Sequence, residues 1–208
     1  MKNKILCLSP HTDDCELGLG GTMAKFIEEG DELFYVAFSS AEKSVPEGLP
    51  KDTLVREVRK ALEVFGIDED HFQLLKYETR VFPEYRQQIL DDMIEMNRVI
   101  QPNIVFLPST FDNHQDHQVI CDEGFRAFKK TSIFGYELPW NNCTFRTDLF
   151  VRLEERHLEK KIKALSGYQS QSKKLYMSPE FTRSLAITRG APINVPFAES
   201  FEIIRFNL

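Results

Sequence analysis

The chain has 208 residues, 42% of them hydrophobic, which is enough for one domain with a full core and short for two. A formal net charge of -6, with Lys129-Lys130, Lys160-Lys161 and Lys173-Lys174 only as isolated basic pairs, excludes a nucleic-acid-binding face. No apolar run approaches the roughly 20 residues of a membrane span; Cys7, Cys15, Cys121 and Cys143 lie too far apart for a Cys-x-x-Cys site and come without a secretory signal, so a cytoplasmic chain with reduced thiols is expected.

In chain order, residues 5–8 (Ile-Leu-Cys-Leu) form the kind of apolar run that a buried parallel strand shows. Ser9-Pro10-His11-Thr12-Asp13-Asp14-Cys15-Glu16 follows at once. A histidine and two adjacent carboxylates thus stand at a strand's carboxyl end, where open α/β sheets bind ligands. Residues 20–29 carry Met23, Phe26 and Ile27 at helical spacing, with Gly30 as the stop. A second buried strand covers 32–39. Residues 40–52, with Pro46, Gly48 and Pro50, read as a loop over the sheet's carboxyl edge and a candidate substrate lid.

A helix over 53–65 puts Leu54, Val58, Ala61, Leu62 and Phe65 on one face and ends at Gly66. Strands at 72–77 and 103–107 bracket a long helix over 83–100. This alternation predicts an α/β fold: a Rossmann-like, mostly parallel sheet with helices on both faces, in a single domain. Residues 1–130 form its core and 131–208 its substrate-shaping remainder. In that remainder 149–153 reads as an added strand, 154–168 as a helix and 201–206 as a closing segment. Residues 133–142 put Trp140, the only tryptophan, among polar neighbours, as a sugar-stacking surface requires and as an ordinary loop tryptophan also shows.

Directly after the fourth strand comes Pro108-Ser109-Thr110-Phe111-Asp112-Asn113-His114-Gln115-Asp116-His117, with a helix expected from Gln115. Three of the five histidines therefore fall on one rim of the sheet, while His71 and His157 read as structural. Two imidazoles and one carboxylate, with a fourth position for water, are a ligand set of catalytic zinc sites. A second carboxylate near that water would take its proton, and Asp13 and Asp14 offer one residue for each job. The same set suits ferrous iron or another divalent ion. Gly18-Leu19-Gly20-Gly21-Thr22-Met23 lacks the final glycine of a dinucleotide turn, and the two carboxylates ahead of it would repel a pyrophosphate. Cys15 reads as a small packed side chain.

Pro10 through Thr22, followed about a hundred residues later by His114-Gln115-Asp116-His117, resembles the LmbE/PIG-L family of zinc-dependent N-deacetylases, which act on N-acetylglucosamine-type sugars. Segments 161–171, 189–190 and 198–201 fit it too. The resemblance implies a hydrolase with Zn2+ held by His11, Asp14 and His117, and Asp13 as general base. It implies His114 for charge stabilisation or leaving-group protonation, and Asp116 behind a histidine ring. It also implies a small-molecule amino-sugar substrate, and it is compatible with a homo-oligomer. Glu16 and the glycines are expected to shape the turn. Three departures stand out: Thr12 replaces a common proline, Asp112 stands where some members have a tyrosine, and Leu54 where an arginine is frequent. Arg80 is a weaker substrate contact, and both Arg80 and Asp112 read equally well as structural or solvated. The alternative from another class is a non-catalytic metal- or sugar-binding protein on the same fold.

Overall fold

The computed structural model describes residues 2–207. Seven strands form one sheet in the order β3-β2-β1-β4-β5-β7-β6. These are β1 (Lys4–Ser9), β2 (Glu32–Ala37), β3 (Phe72–Leu74), β4 (Ile104–Pro108), β5 (Ser132–Tyr136), β6 (Leu149–Leu153) and β7 (Phe197–Arg205). The first five run parallel, and β7 and β6 are added antiparallel. The expected α/β class is therefore what the chain adopts.

β1 explains why the sheet is covered on both sides. Ile5, Leu6, Cys7 and Leu8 are fully buried, and alternate residues enter different cores: Ile5 and Cys7 one, Leu6 and Leu8 the other. The first core holds α1 (Asp14–Glu29), α2 (Thr53–Phe65) and α5 (Glu155–Leu165). The second holds α3 (Arg86–Ile100) and α4 (Gln115–Ala127). Because β2 and β4 flank β1, the chain reverses direction across the sheet between β1 and β4, which opens a crevice at their carboxyl ends. Among the described residues no helix is long and apolar enough to cross a membrane.

Several elements differ from the sequence expectation. The first helix opens at Asp14, six residues before 20, and is broken inside at Leu19, whose φ of -144° is not helical. The break hid it: three glycines in four residues, Gly18, Gly20 and Gly21, carry no apolar stripe. Packing requires them, since a Cβ on Gly18 would come within 2.5 Å of the Tyr136 ring, and one on Gly21 within 2.5 Å of Leu153. β5 was not read from the sequence, nor was α6 (Pro179–Gly190), which buries only Thr182, Ala186 and Gly190 and so shows no apolar face. The edge strand β3 stops at Leu74, short of 77, whereas β7 starts at Phe197, ahead of 201. The third helix opens with a 3-10 turn, Phe82–Tyr85.

The broken helix is spliced by a buried ion pair. Glu199 of β7 accepts from the amides of Gly21 (3.1 Å) and Thr22 (2.7 Å), the first donors of the second piece. Lys161 of α5 donates to the Leu17 carbonyl of the first piece (2.7 Å) and to Glu199 Oε1 (2.7 Å). His157 completes a capping box at the start of α5 and contacts Glu28, and His71 sits against Asp68 and Phe34, so both are structural as expected.

Lys161→Met leaves the Glu199 charge buried without its cation, and should cost on the order of 3 kcal/mol. The urea midpoint at constant m-value measures it.

Candidate active site

The two loops that leave β1 and β4 meet at the crevice. Residues 10–13 join β1 to α1, and 109–114 join β4 to α4. The first loop is held from beneath. The Tyr35 and Tyr168 hydroxyls approach Glu16 (2.5 and 2.7 Å) and the Thr12 carbonyl (3.2 and 2.5 Å), all of them buried. Burial pushes the Glu16 carboxyl up to about 8, outweighing the two hydroxyls that favour its anion. At neutral pH it therefore keeps a proton to share with them. The sequence assigned Glu16 to shaping the turn, and this is the physical means.

Asp116 and Asp112 fix the two inner imidazoles. Asp116 Oδ2 lies 3.0 Å from His11 Nε2, and Asp112 Oδ2 lies 2.8 Å from His117 Nδ1. Both carboxylates are buried, so each imidazole donates its outer N–H to one of them and turns its other nitrogen inward. The inward atoms, His11 Nδ1 and His117 Nε2, are 3.3 Å apart. Asp14 Oδ2 completes a triangle with them, 3.2 Å from the first and 3.4 Å from the second. Asp112 was the residue whose role the sequence left open; its burial and its hold on His117 settle it as structural. Its signal was weak, a lone aspartate five positions before a histidine.

The triangle is rich in negative charge. Burial alone would lower the His11 imidazole, but Asp14 and Asp116 outweigh it and raise it to about 10, so a metal ion bound here would take the place of a proton on Nδ1. Burial works against the Asp14 anion too, yet His117 and His11 draw its carboxyl well below the usual range. Three donor atoms with edges of 3.2–3.4 Å match a tetrahedral ion, whose ligands at about 2.0–2.1 Å lie about 3.3–3.4 Å from one another. His114 offers an alternative third donor, since nitrogens of His11, His114 and His117 lie within 4.8 Å of one another. Asp14 forms the tighter set.

His114 is the N-cap of α4: its Nδ1 accepts from the Asp116 amide at 3.2 Å, which leaves the ring proton on Nε2. Burial first, then the neighbouring His117 and His11, lowers it to about 4, so it is neutral. Asp13 precedes α1 but its side chain does not cap the helix. Burial and the adjacent Asp14 raise its carboxyl to about 6, against Lys174 and His11.

One cavity of about 240 Å³ gathers His11, Asp13, Asp14, His114, His117, Arg80 and Trp140. Every site residue expected from the sequence thus lines it except Asp116, which stands behind His11. Ala41 and Ser44 bring the 40–52 loop to its wall, as a lid would require. Gln171, Lys174 and Tyr176 also line it and were not singled out as site residues. They lie in a segment without regular helical or strand pattern, and no spacing marks them. Trp140 stacks on Tyr176, centroids 3.8 Å apart and planes at 14°.

A family model described as "PIG-L: GlcNAc-PI de-N-acetylase" matches residues 6–128. The diacetylchitobiose deacetylase of Thermococcus kodakarensis is 28% identical over 165 residues, 75% of this chain and 57% of that enzyme. The alignment thus spans little more than half of that relative's length. The uncharacterized deacetylase YaiS of Escherichia coli is 26% identical over 172 residues, 80% of this chain and 90% of its own. The solved N,N'-diacetylchitobiose deacetylase from Pyrococcus horikoshii superposes with a TM-score of 0.81 at 24% identity, over 97% of this chain and 84% of that one, which shows the shared fold.

Tyr168→Phe takes one hydroxyl from Glu16 and from the Thr12 carbonyl. It should cost about 1–3 kcal/mol, seen as a lower melting temperature.

Proposed function

This chain belongs to the PIG-L family, and on that footing we propose that it is a metal-dependent hydrolase that removes the acetyl group from an N-acetylated amino sugar of the N-acetylglucosamine type, as a glycoconjugate or sugar-nucleotide precursor. The observation that carries this is the convergence of two imidazole nitrogens and a carboxylate oxygen, 3.2–3.4 Å apart, beside a second carboxylate that faces the same cavity. The diacetylchitobiose deacetylases among its relatives support the substrate class.

His11, Asp14 and His117 would hold the ion, with zinc as the best match to the edges of their triangle and ferrous iron suited to the same donors. Such an ion, when bound, lowers the pKa of a water and polarises a carbonyl oxygen. Asp13 accepts the proton of the attacking water. Burial and Asp14 push the Asp13 carboxyl above the usual carboxylate range, which favours its taking that proton and returning it to the departing amine. His114, neutral with its proton on Nε2, is a hydrogen-bond donor for the amide oxygen as it gains charge. Asp112 and Asp116 keep the imidazoles turned, and Trp140 on Tyr176 offers an aromatic edge to the sugar at the mouth.

Acetate release from a panel of N-acetyl sugars, with and without chelator, tests the assignment; a binding protein would release none. Asp13→Asn should lower turnover at least about 100-fold while metal content stays near stoichiometric, and near-wild-type activity in that variant would refute the mechanism. His117→Ala should lose the metal. Asp112→Ala should weaken metal binding by about 10–100-fold, measured by competition with a chelating dye.

A further inference from the structure

Two amide side chains in the wall of the cavity are anchored by their nitrogens and keep their carbonyls free. Gln171 and Asn141 both line it. They come from separate parts of the chain, Gln171 from the 3-10 turn Gln169–Gln171 that follows α5, and Asn141 from the segment between β5 and β6.

The orientation of Gln171 follows from counting protons. Glu57 of α2 accepts from the Ser170 amide (2.9 Å) and from the Ser170 hydroxyl (2.6 Å). That hydroxyl has one proton and it is committed, so toward Gln171 Nε2, 3.1 Å away, Ser170 Oγ can only accept. The amide of Gln171 therefore gives its nitrogen to Ser170 and leaves its oxygen for the cavity; among the described residues no donor meets Oε1. The residue is buried, and its backbone is held on both sides, donating to the Tyr168 carbonyl and accepting from the Lys174 amide, each at 3.0 Å. Leu54, one turn before Glu57 on α2, lines the same cavity and offers no polar atom, so the polar contact beside it falls to Gln171.

Asn141 repeats the arrangement beside α4. Its Nδ2 donates to Asp112 Oδ2 at 3.4 Å, an oxygen of a carboxylate that can only accept. Its backbone amide donates to the Leu138 carbonyl at 2.8 Å, and its carbonyl accepts from Asn113 at 3.2 Å, which pins this turn to the loop leaving β4. Among the described residues no donor meets Asn141 Oδ1. A carbonyl covered by a bound substrate is destabilised unless a donor meets it. The donors that an N-acetylated sugar carries besides its own amide are its hydroxyls.

We propose that Gln171 and Asn141 are specificity residues, each accepting a hydrogen bond from a sugar hydroxyl, so that the preferred substrate keeps two free hydroxyls on the ring that bears the acetamide. The proposal rests on the deacetylase reading above. Because each oxygen is held by an anchored nitrogen, the pair reads hydroxyls as donors and rejects a group of the same size that cannot donate.

The test takes the best N-acetylglucosamine derivative of the panel and its analogues in which one hydroxyl at a time, at C3, C4 or C6, is replaced by fluorine, which nearly keeps the size and donates nothing. The wild-type enzyme should lose about 10-fold or more in kcat/KM at two of these positions. Gln171→Met and Asn141→Leu should each slow the parent substrate and remove the penalty at one position, a different one for each, leaving the other penalty in place. Ser170→Ala frees the Gln171 amide to turn over, so it should weaken the same penalty as Gln171→Met, and it decides alone if Gln171→Met does not fold. A loss of metal affinity in Asn141→Leu with both penalties intact would assign that amide to Asp112 alone and overturn the pair. No penalty on any fluorinated analogue, or losses equal on all of them in both variants, would overturn it too and leave the deacetylase standing. No acetate from the parent, nor from the wider panel, would overturn both.

Discussion

The carboxylate of Asp116 ties together three parts of the chain that are far apart in sequence. It accepts from His11 Nε2 on the β1 loop, from the Arg80 amide and from the Phe82 amide on the loop between β3 and α3, and it stands in the first turn of α4. It has no exposure to water. Burial by itself would raise its carboxyl, but the imidazole and the two amides hold it below the usual range. One buried anion thus sets the orientation of the His11 ring, the path of the loop carrying Arg80 and the register of α4 against the sheet. The His11 imidazole and the rim of the cavity share one anchor.

The sequence made legible what depends on local periodicity and on strand ends. The apolar runs at 5–8 and 104–107 are short, and the second is rich in β-branched and aromatic residues, which favours interior strands, and the residues just after them fall on one rim by topology alone. Thr53–Phe65 kept both ends, because an apolar stripe and Gly66 with its φ of +82° coincide. What stayed hidden depends on long-range partners. Asp112 means nothing until His117 is seen beside it, and Lys174 and Tyr176 reach the cavity through 3-10 turns that carry no pattern. Leu19 breaks a helix whose two ends are each satisfied by residues some 140 to 180 positions later.

The last third of the chain is therefore part of the machinery of the first. Tyr168 braces the Thr12 carbonyl, Lys161 and Glu199 join the pieces of α1, and Lys174 and Tyr176 close the cavity from above. A division at 130 is convenient for following the chain. Energetically the two parts share buried charges that neither could leave unpaired.

The break in α1 also changes the field at the site. A continuous helix aligns its peptide dipoles and presents roughly half a positive charge at its N-terminus, which here would lie at Asp13 and Asp14 and oppose an incoming cation. Splitting the helix at Leu19 leaves a little over one turn pointing at the crevice. The positive end of the longer piece falls instead on Glu199, at the amides of Gly21 and Thr22, and the negative end of the short piece is met by the Lys161 ammonium at the Leu17 carbonyl. The macrodipole is grounded inside the protein, and the two aspartates face the crevice with most of their charge undiminished.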